Sequence, residues 1–142
     1  MVSVPAAWTL DPQLEHDTLM VGDLPLCQIR LMNDANYPWL ILVPRRHAAV
    51  EITDLADVDQ VELIREISNV TRALQSCSAC DKINVAAIGN VVPQLHVHVI
   101  ARHSGDAAWP RTVWGQAPVR PYEGAARDKR MYALRQHLGF AG

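Results

Sequence analysis

Gln94, His96 and His98 alternate with apolar residues in the stretch 93–102 (PQLHVHVIAR), and side chains of these types at this spacing could do chemistry. Imidazole can act as a general base, a metal ligand or a nucleophile toward phosphorus, and its ordinary pKa of about 6.5 keeps much of it neutral at physiological pH. In a β-strand, residues two apart lie on one side, about 6.6 Å from each other. The spacing therefore predicts a polar row on one face. The opposite, core face would hold Leu95, Val97, Val99 and Ala101.

The spacing alone leaves three interpretations of this row open. The histidines could form the solvent side of an ordinary amphipathic strand. They could join Cys77 and Cys80 upstream in a zinc site, although one residue between the histidines departs from the usual separation of about three to five. The cysteine pair alone is a weak redox candidate, because it follows a helix instead of beginning one. In the third interpretation, the histidines are catalytic.

The neighbouring elements that would position the row are strands. Residues 26–32 (LCQIRLM) alternate apolar and polar, which predicts a half-buried strand, and 39–43 (WLILV) predict a buried one. The turn residues between them favour an antiparallel hairpin. Residues 83–88 (INVAAI) predict a further strand before a Gly-Asn turn, and Pro93 is expected to open the last strand.

Between these strand pairs the hydrophobic period changes to that of a helix. The chain from Leu55 onward predicts an amphipathic helix with Thr53 or Asp54 as its N-cap. A short helix is predicted near the C-terminus. This order favours an α+β domain with an antiparallel sheet. The predicted apolar face of the long helix consists of Val58, Val61, Ile64, Ile67, Val70 and Leu74.

The composition sets limits on the class of protein. The 142 residues include 13 basic and 15 acidic side chains, and 49% are hydrophobic, which fits one domain, 1–142, with one core. The small net charge of −2, without a long like-charge run, argues against a nucleic-acid partner. Residues 1–17 lack the pattern of a signal peptide and no apolar run predicts a membrane span. An odd count of three cysteines suits a reducing compartment, so a cytoplasmic location is expected.

Residues 89–100 (GNVVPQLHVHVI) resemble the signature of the histidine triad (HIT) superfamily, in which histidines alternate with apolar residues after a turn. Residues 31–34 (LMND) and 39–47 (WLILVPRRH) resemble the strand pair of the same family. Residues 106–115, which include DAAWP and VWG, resemble a bacterial subgroup of HIT-like hydrolases. The resemblance covers a core of about 26–102, followed by a C-terminal extension, 103–142. It implies a HIT-like antiparallel sheet of about five strands with one long helix and a short C-terminal helix.

The resemblance implies a hydrolase or nucleotidyltransferase that acts at an α-phosphate, on a dinucleoside polyphosphate or another AMP-linked substrate, through a nucleotidyl-histidine intermediate. By position, His96 would be the nucleophile and His98 would donate to phosphate oxygens, while a backbone carbonyl would fix the tautomer of His96. Gln94 stands in the first catalytic position. A homodimer without a cofactor is the expected assembly. The implied substrate-binding residues are Asn33 at the ribose, Asn90 near the phosphates and Arg102 for charge neutralisation.

Three positions depart from the family pattern. Gln94 replaces the first histidine of the triad and cannot carry a proton through a cycle. Trp39 stands where many relatives have a histidine, and Val91 replaces a hydroxyl residue. These departures keep a second hypothesis open, a non-catalytic nucleotide-binding or interaction module. Trp109 and Trp114 could cover the core or a dimer interface, or stack on a base.

Overall fold

A computed structural model describes residues 7–140 of the chain. Residues 1–6, part of the stretch without a predicted signal peptide, and 141–142, the end of the predicted extension, lie outside the described residues. Within 7–140, no helix combines the length and apolar character needed to cross a membrane. The elements in chain order are α1 (Pro12–Asp17), β1 (Thr18–Asp23), β2 (Cys27–Met32), β3 (Trp39–Pro44), a 3-10 turn (Ile52–Asp54), α2 (Asp57–Cys77), β4 (Lys82–Ala86), β5 (Val97–Arg102) and α3 (Gly124–Leu138).

The five strands form one antiparallel sheet in the order β1-β2-β3-β5-β4. The predicted α+β class and the predicted hairpin of β2 and β3 are both confirmed. Neither α1 nor β1, each of six residues, is among the elements predicted from the sequence. Asp11 begins α1, its side chain accepting the backbone N–H of Gln13, and Pro12 follows as the first helical residue.

The middle of the sheet is buried on both faces. One face packs against α2 and α3, and it holds the predicted core residues Leu95, Val97, Val99 and Ala101. The other face carries a second cluster that includes Trp39, Ile41 and Ile100, covered by Ala108 and Val113 of the C-terminal extension. Because β3 and β5 lie in the middle of the sheet, every residue of both strands is buried.

The last strand begins at Val97, so the prediction that Pro93 opens it is wrong. Leu95 donates its backbone N–H to the carbonyl of Ala49 in the loop after β3. The residues directly before Val97 are not part of a strand. The preceding strand, β4, correspondingly ends at Ala86. The segment 87–96 is therefore a connection that crosses one end of the sheet.

The long helix α2 begins at Asp57, and Ala56 is its N-cap. The predicted N-cap, Thr53 or Asp54, is therefore wrong. Asp54 closes the preceding 3-10 turn instead, where its carboxylate accepts the backbone N–H groups of Val50 and Glu51. The Asp54 carboxylate therefore caps the 3-10 turn and does not cap α2.

The predicted apolar face of α2 is wrong in its first half. Val58, Val61 and Ile64 are 75%, 55% and 63% exposed. The buried stripe contains Leu63 and Glu66, and the Glu66 carboxylate accepts the backbone N–H groups at the start of β2. The N-terminal half of α2 thus has two stripes, of which the more apolar one faces away from the sheet.

Candidate active site

His96 and His98 both line a cavity of about 750 Å³ on the face of the sheet opposite α2. Its floor is formed by the ends of β2, β3 and β5, and its walls by α1, the loop that follows β4, and the C-terminal extension. Trp39 and Trp114 give it a mostly apolar surface. Among residues 7–140 no Lys or Arg lines it, and its acidic side chains are Asp17 and Asp34.

The tautomer of His96 is set by the backbone carbonyl of Gln94, two residues earlier. Its Nδ1 lies 2.7 Å from the carbonyl oxygen of Gln94, which can only accept a hydrogen bond. Nδ1 therefore carries a proton, and in the neutral ring the lone pair is on Nε2. This arrangement agrees with the expectation that a backbone carbonyl orients the ring. His96 is buried, with 7% of the residue exposed.

His98 has the opposite tautomer. The indole Nε1–H of Trp39 donates to His98 Nδ1 at 3.0 Å, and an indole nitrogen is only a donor. Nδ1 is therefore unprotonated, and the proton of the neutral ring is on Nε2. Burial, reinforced by neighbouring His96, lowers the pKa of His98 to about 3.

The two imidazole rings lie side by side, with centroids 4.9 Å apart and planes inclined by 70°. Trp114 packs edge-on against His98 at 5.1 Å. One ring can thus offer a lone pair and its neighbour an N–H within the same small volume. A nucleophile beside a neutral hydrogen-bond donor suits attack at a centre that carries anionic oxygens.

Gln94 does not line this cavity, although it precedes His96 by only two residues. Its Oε1 accepts the backbone N–H of Asp11 at 2.8 Å, and its Nε2 donates to the carbonyl of Thr9 at 2.9 Å. Both polar groups of the amide are thus used to hold the segment before α1. Gln94 also borders a smaller cavity of about 280 Å³, which it shares with His96.

Asn33 and Asn90 both line the large cavity, as their predicted binding roles require. Asn33 follows β2, and its Oδ1 accepts the backbone N–H of Tyr122 at 2.9 Å, which ties the C-terminal extension to the site. Asn90 is exposed on the loop after β4. Gly89 precedes it with φ +67°, a left-handed conformation that favours glycine.

Arg102 lies outside the cavity, at the far end of β5, and is 1% exposed. Its guanidinium donates to both carboxylate oxygens of Asp106, at 2.8 and 3.0 Å, and to Asn84 Oδ1 at 2.9 Å. The rings of Tyr37 and Trp109 lie 5.8 and 5.7 Å from it. This ion pair holds the pKa of Asp106 well below its usual range and fastens the start of the C-terminal extension.

Several cavity residues belong to segments whose role the sequence does not predict. Some of them lie on α1, which could have been predicted from Asp11 as an N-cap followed by Pro12. The others follow β2 or lie in the C-terminal extension, where the local sequence carries no signal for a long-range contact. The residues on α1 are Gln13, Leu14, His16 and Asp17, and the others are Asp34, Val119 and Pro121.

The zinc interpretation has no matching geometry. Across the described range 7–140, no three His, Cys, Asp or Glu side chains come together as a set of metal ligands. Cys77 and Cys80 are free cysteines at and just beyond the end of α2.

A model of the HIT domain matches residues 13–105, more than half of the chain. The chain belongs to the HIT family. The suspected family is thereby confirmed. The matched range contains β1 to β5 and both histidines of the cavity, and it ends before most of the C-terminal extension.

Solved HIT structures resemble this chain over nearly its whole length. A histidine triad protein from Bradyrhizobium japonicum is 53% identical with a TM-score of 0.92, covering 94% of this chain and 99% of its own. A HIT protein from Sinorhizobium meliloti is 43% identical with a TM-score of 0.89, covering 92% and 96%. Because these matches cover 94% and 92% of this chain, the likeness includes most of the C-terminal extension.

A curated relative carries an enzyme name. The AP-4-A phosphorylase of Mycobacterium tuberculosis is 32% identical over 58% of this chain. The match spans 47% of that protein's length, so the chain corresponds to about half of it.

Proposed function

We propose that this HIT protein is a nucleotide-phosphate hydrolase or nucleotidyltransferase that acts at an α-phosphate. The observation that carries the proposal is the pair of complementary tautomers, a lone pair on His96 Nε2 beside an N–H on His98. The phosphorylase name of the Mycobacterium tuberculosis relative supports the same class of chemistry.

In the proposed reaction, the Nε2 lone pair of His96 forms a bond to the α-phosphorus. The bond from phosphorus to the leaving group's oxygen or nitrogen breaks, and its electron pair departs with that group, which takes a proton from solvent. Water or another acceptor then forms a bond to phosphorus and releases a proton to solvent, the N–P bond breaks, and its electron pair returns to His96. With water, the product is a nucleoside monophosphate. Two displacements at a preorganised histidine replace one difficult step.

The surrounding residues have proposed roles in binding. His98 donates Nε2–H to a non-bridging oxygen of the reacting phosphate, where it stabilises negative charge without a formal charge of its own. A cavity of about 750 Å³ with an apolar surface has room for a nucleoside. Asn33 is proposed at the ribose and Asn90 near the phosphates. Gln94 and Arg102 act in this proposal through the segments that they hold, not through contact with substrate.

The nucleophile can be tested by replacing His96. We expect His96→Ala to lower kcat for AMP-linked substrates by about 10³-fold or more, because it removes the attacking atom. Turnover is measured on a panel of dinucleoside polyphosphates and adenosine phosphoramidates. Rapidly quenched wild-type protein should carry a nucleotidyl adduct by intact-mass spectrometry, and His96→Ala should carry none.

The matched control is His47→Ala, which removes an exposed imidazole outside the cavity. Full turnover by His96→Ala, or no turnover of any panel member by the wild type, would contradict the proposed activity. If thermal-shift measurements then showed AMP binding that His96→Ala leaves unchanged, the non-catalytic nucleotide-binding module would be the better description.

A further inference from the structure

We infer that Trp39 is a positioning residue, whose indole N–H holds His98 in the orientation and tautomer that direct a neutral Nε2–H into the cavity. This inference rests on the proposed function for its catalytic consequence, but its structural part concerns the protein without substrate. Trp39 is one of the departures from the family pattern, and the inference gives that departure a task.

The position of Trp39 in the sheet makes the contact possible. Trp39 is the first residue of β3 and pairs with Ile100 of β5, two residues from His98. Residues two apart on one strand share a face, so the side chains of Trp39 and His98 meet above the same surface of the sheet. Their ring centroids are 5.6 Å apart, and Nε1 lies 3.0 Å from Nδ1.

Aromatic packing fixes the direction of the indole N–H. Tyr37 and Trp114 pack edge-on against Trp39, with centroids at 6.3 and 5.7 Å. Trp39 is 5% exposed, so an indole N–H without an acceptor would lose its hydration with nothing in return. His98 Nδ1 supplies that acceptor, and both side chains are constrained by one hydrogen bond.

This hydrogen bond decides what His98 can do. Because the indole cannot accept, Nδ1 must remain unprotonated while the bond exists, and the ring's proton is confined to Nε2. A flipped ring would lose the bond and present a different edge to substrate. Burial disfavours the imidazolium, so the donor stays neutral. The other ionisable side chains lining the same cavity are His16, Asp17, Asp34 and His96.

The structural part can be tested by ¹⁵N NMR of the imidazoles in the substrate-free protein. At pH 7, His98 of the wild type should give the pattern of a neutral ring with Nε2 protonated and Nδ1 unprotonated. Trp39→Phe keeps an aromatic ring but removes the donor, and its His98 signals should shift toward an average of two tautomers. Trp114→Phe is the control in this measurement, because it alters packing on His98 while the Trp39 donor remains.

The catalytic part is tested by the kinetics of the same variants. Complete loss of such a donor costs about 10²- to 10³-fold in kcat, so a donor that is only misoriented should cost about tenfold. We expect Trp39→Phe to lower kcat by that amount with a smaller change in KM. Trp39→His, which restores a ring N–H, should recover part of the loss.

The outcomes separate this inference from the proposed function. A wild-type His98 that is protonated on Nδ1 at pH 7 would overturn the inference whatever the activity, and this measurement needs no variant to fold. Unchanged His98 signals and unchanged kcat in Trp39→Phe would also overturn it. A wild type with the expected tautomer and no turnover of any AMP-linked substrate would overturn only the proposed function.

Discussion

A single backbone carbonyl decides which nitrogen of His96 can react. The spacing of His96 and His98 predicts that they share a face, and the structure places both at one cavity. Their tautomers could be predicted only in part, because the partner of His98 comes from Trp39, 59 residues away in the chain. A sequence pattern identifies residues that can do chemistry, whereas long-range contacts assign the proton to each nitrogen.

Arg102 and Asp106 form a buried ion pair, so replacing one carboxylate oxygen of Asp106 by an amide nitrogen should lower the stability of the protein strongly. Asp106→Asn removes the charge that compensates a guanidinium with almost no exposure, and we expect the free energy of unfolding to fall by about 3–5 kcal/mol. Urea denaturation measures the change. Asp128→Asn is the control, since Asp128 forms an exposed pair with Arg127 and should change stability by less than about 1 kcal/mol.

The same pair predicts a dependence of stability on pH. The pKa of Asp106 is depressed in the folded protein, so its contribution is complete above the unfolded pKa of about 3.9 and is lost as pH falls toward the folded pKa. Between about pH 5 and pH 3 the wild type should therefore lose more stability than Asp106→Asn. Equal losses in the two proteins would contradict a charge-based role for Asp106.

At the scale of the elements, hydrophobic periodicity correctly predicts the strands and helices that bury a continuous stripe of apolar residues. Residues 26–32 and 39–43 are close to the observed β2 and β3, and the alternation after Leu95 correctly divides β5 into two faces. Periodicity fails at α2, because Val58, Val61 and Ile64 recur at helical spacing on a face that the sheet does not cover. Spacing alone cannot say which of two stripes meets the core.

Gln94 links the segment before β5 to the segment before α1, which is distant in the sequence. The amide holds Thr9 and Asp11, and the helix α1 that follows provides one wall of the cavity. We expect Gln94→Leu to release this segment, because two hydrogen bonds are lost while the volume is nearly kept. Amide hydrogen exchange in residues 9–17 should become faster, and KM should rise several-fold with a smaller change in kcat.

Gln136→Leu is the matched control, because Gln136 is exposed on α3 and lies outside both cavities. It should change neither exchange in α1 nor KM. A Gln94→Leu variant that keeps wild-type exchange in residues 9–17 but loses kcat would instead assign Gln94 a direct part in the chemistry.

At the scale of the whole molecule, the two edges of the sheet differ. The edge at β1 is covered by α3, where the guanidinium of Arg135 donates to the carbonyls of Met20 and Val21, both at 3.0 Å. At the other edge, β4 pairs only with β5 within residues 7–140. Val85 of β4 is 50% exposed. An unpaired strand edge is a template for pairing with another chain.

The exposed apolar stripe of α2 is a second surface that suits the expected homodimer. Val58, Val61 and Ile64 are apolar and face away from the core, and burial against a second copy would remove them from water. We therefore expect a dimer in sedimentation velocity at micromolar concentration. Ile64→Glu should raise the dimer Kd by about 30-fold or more, because it places a charge in an apolar interface.

The control for this substitution is Tyr132→Glu on α3, because Tyr132 and Ile64 have the same exposure of 63%. Both variants add one negative charge at an exposed helical position, so a general effect of charge would weaken association equally in both. Selective dissociation by Ile64→Glu would assign the interface to α2. The prediction would be contradicted by a wild type that sediments as a monomer. It would also be contradicted by an Ile64→Glu variant that associates like the wild type.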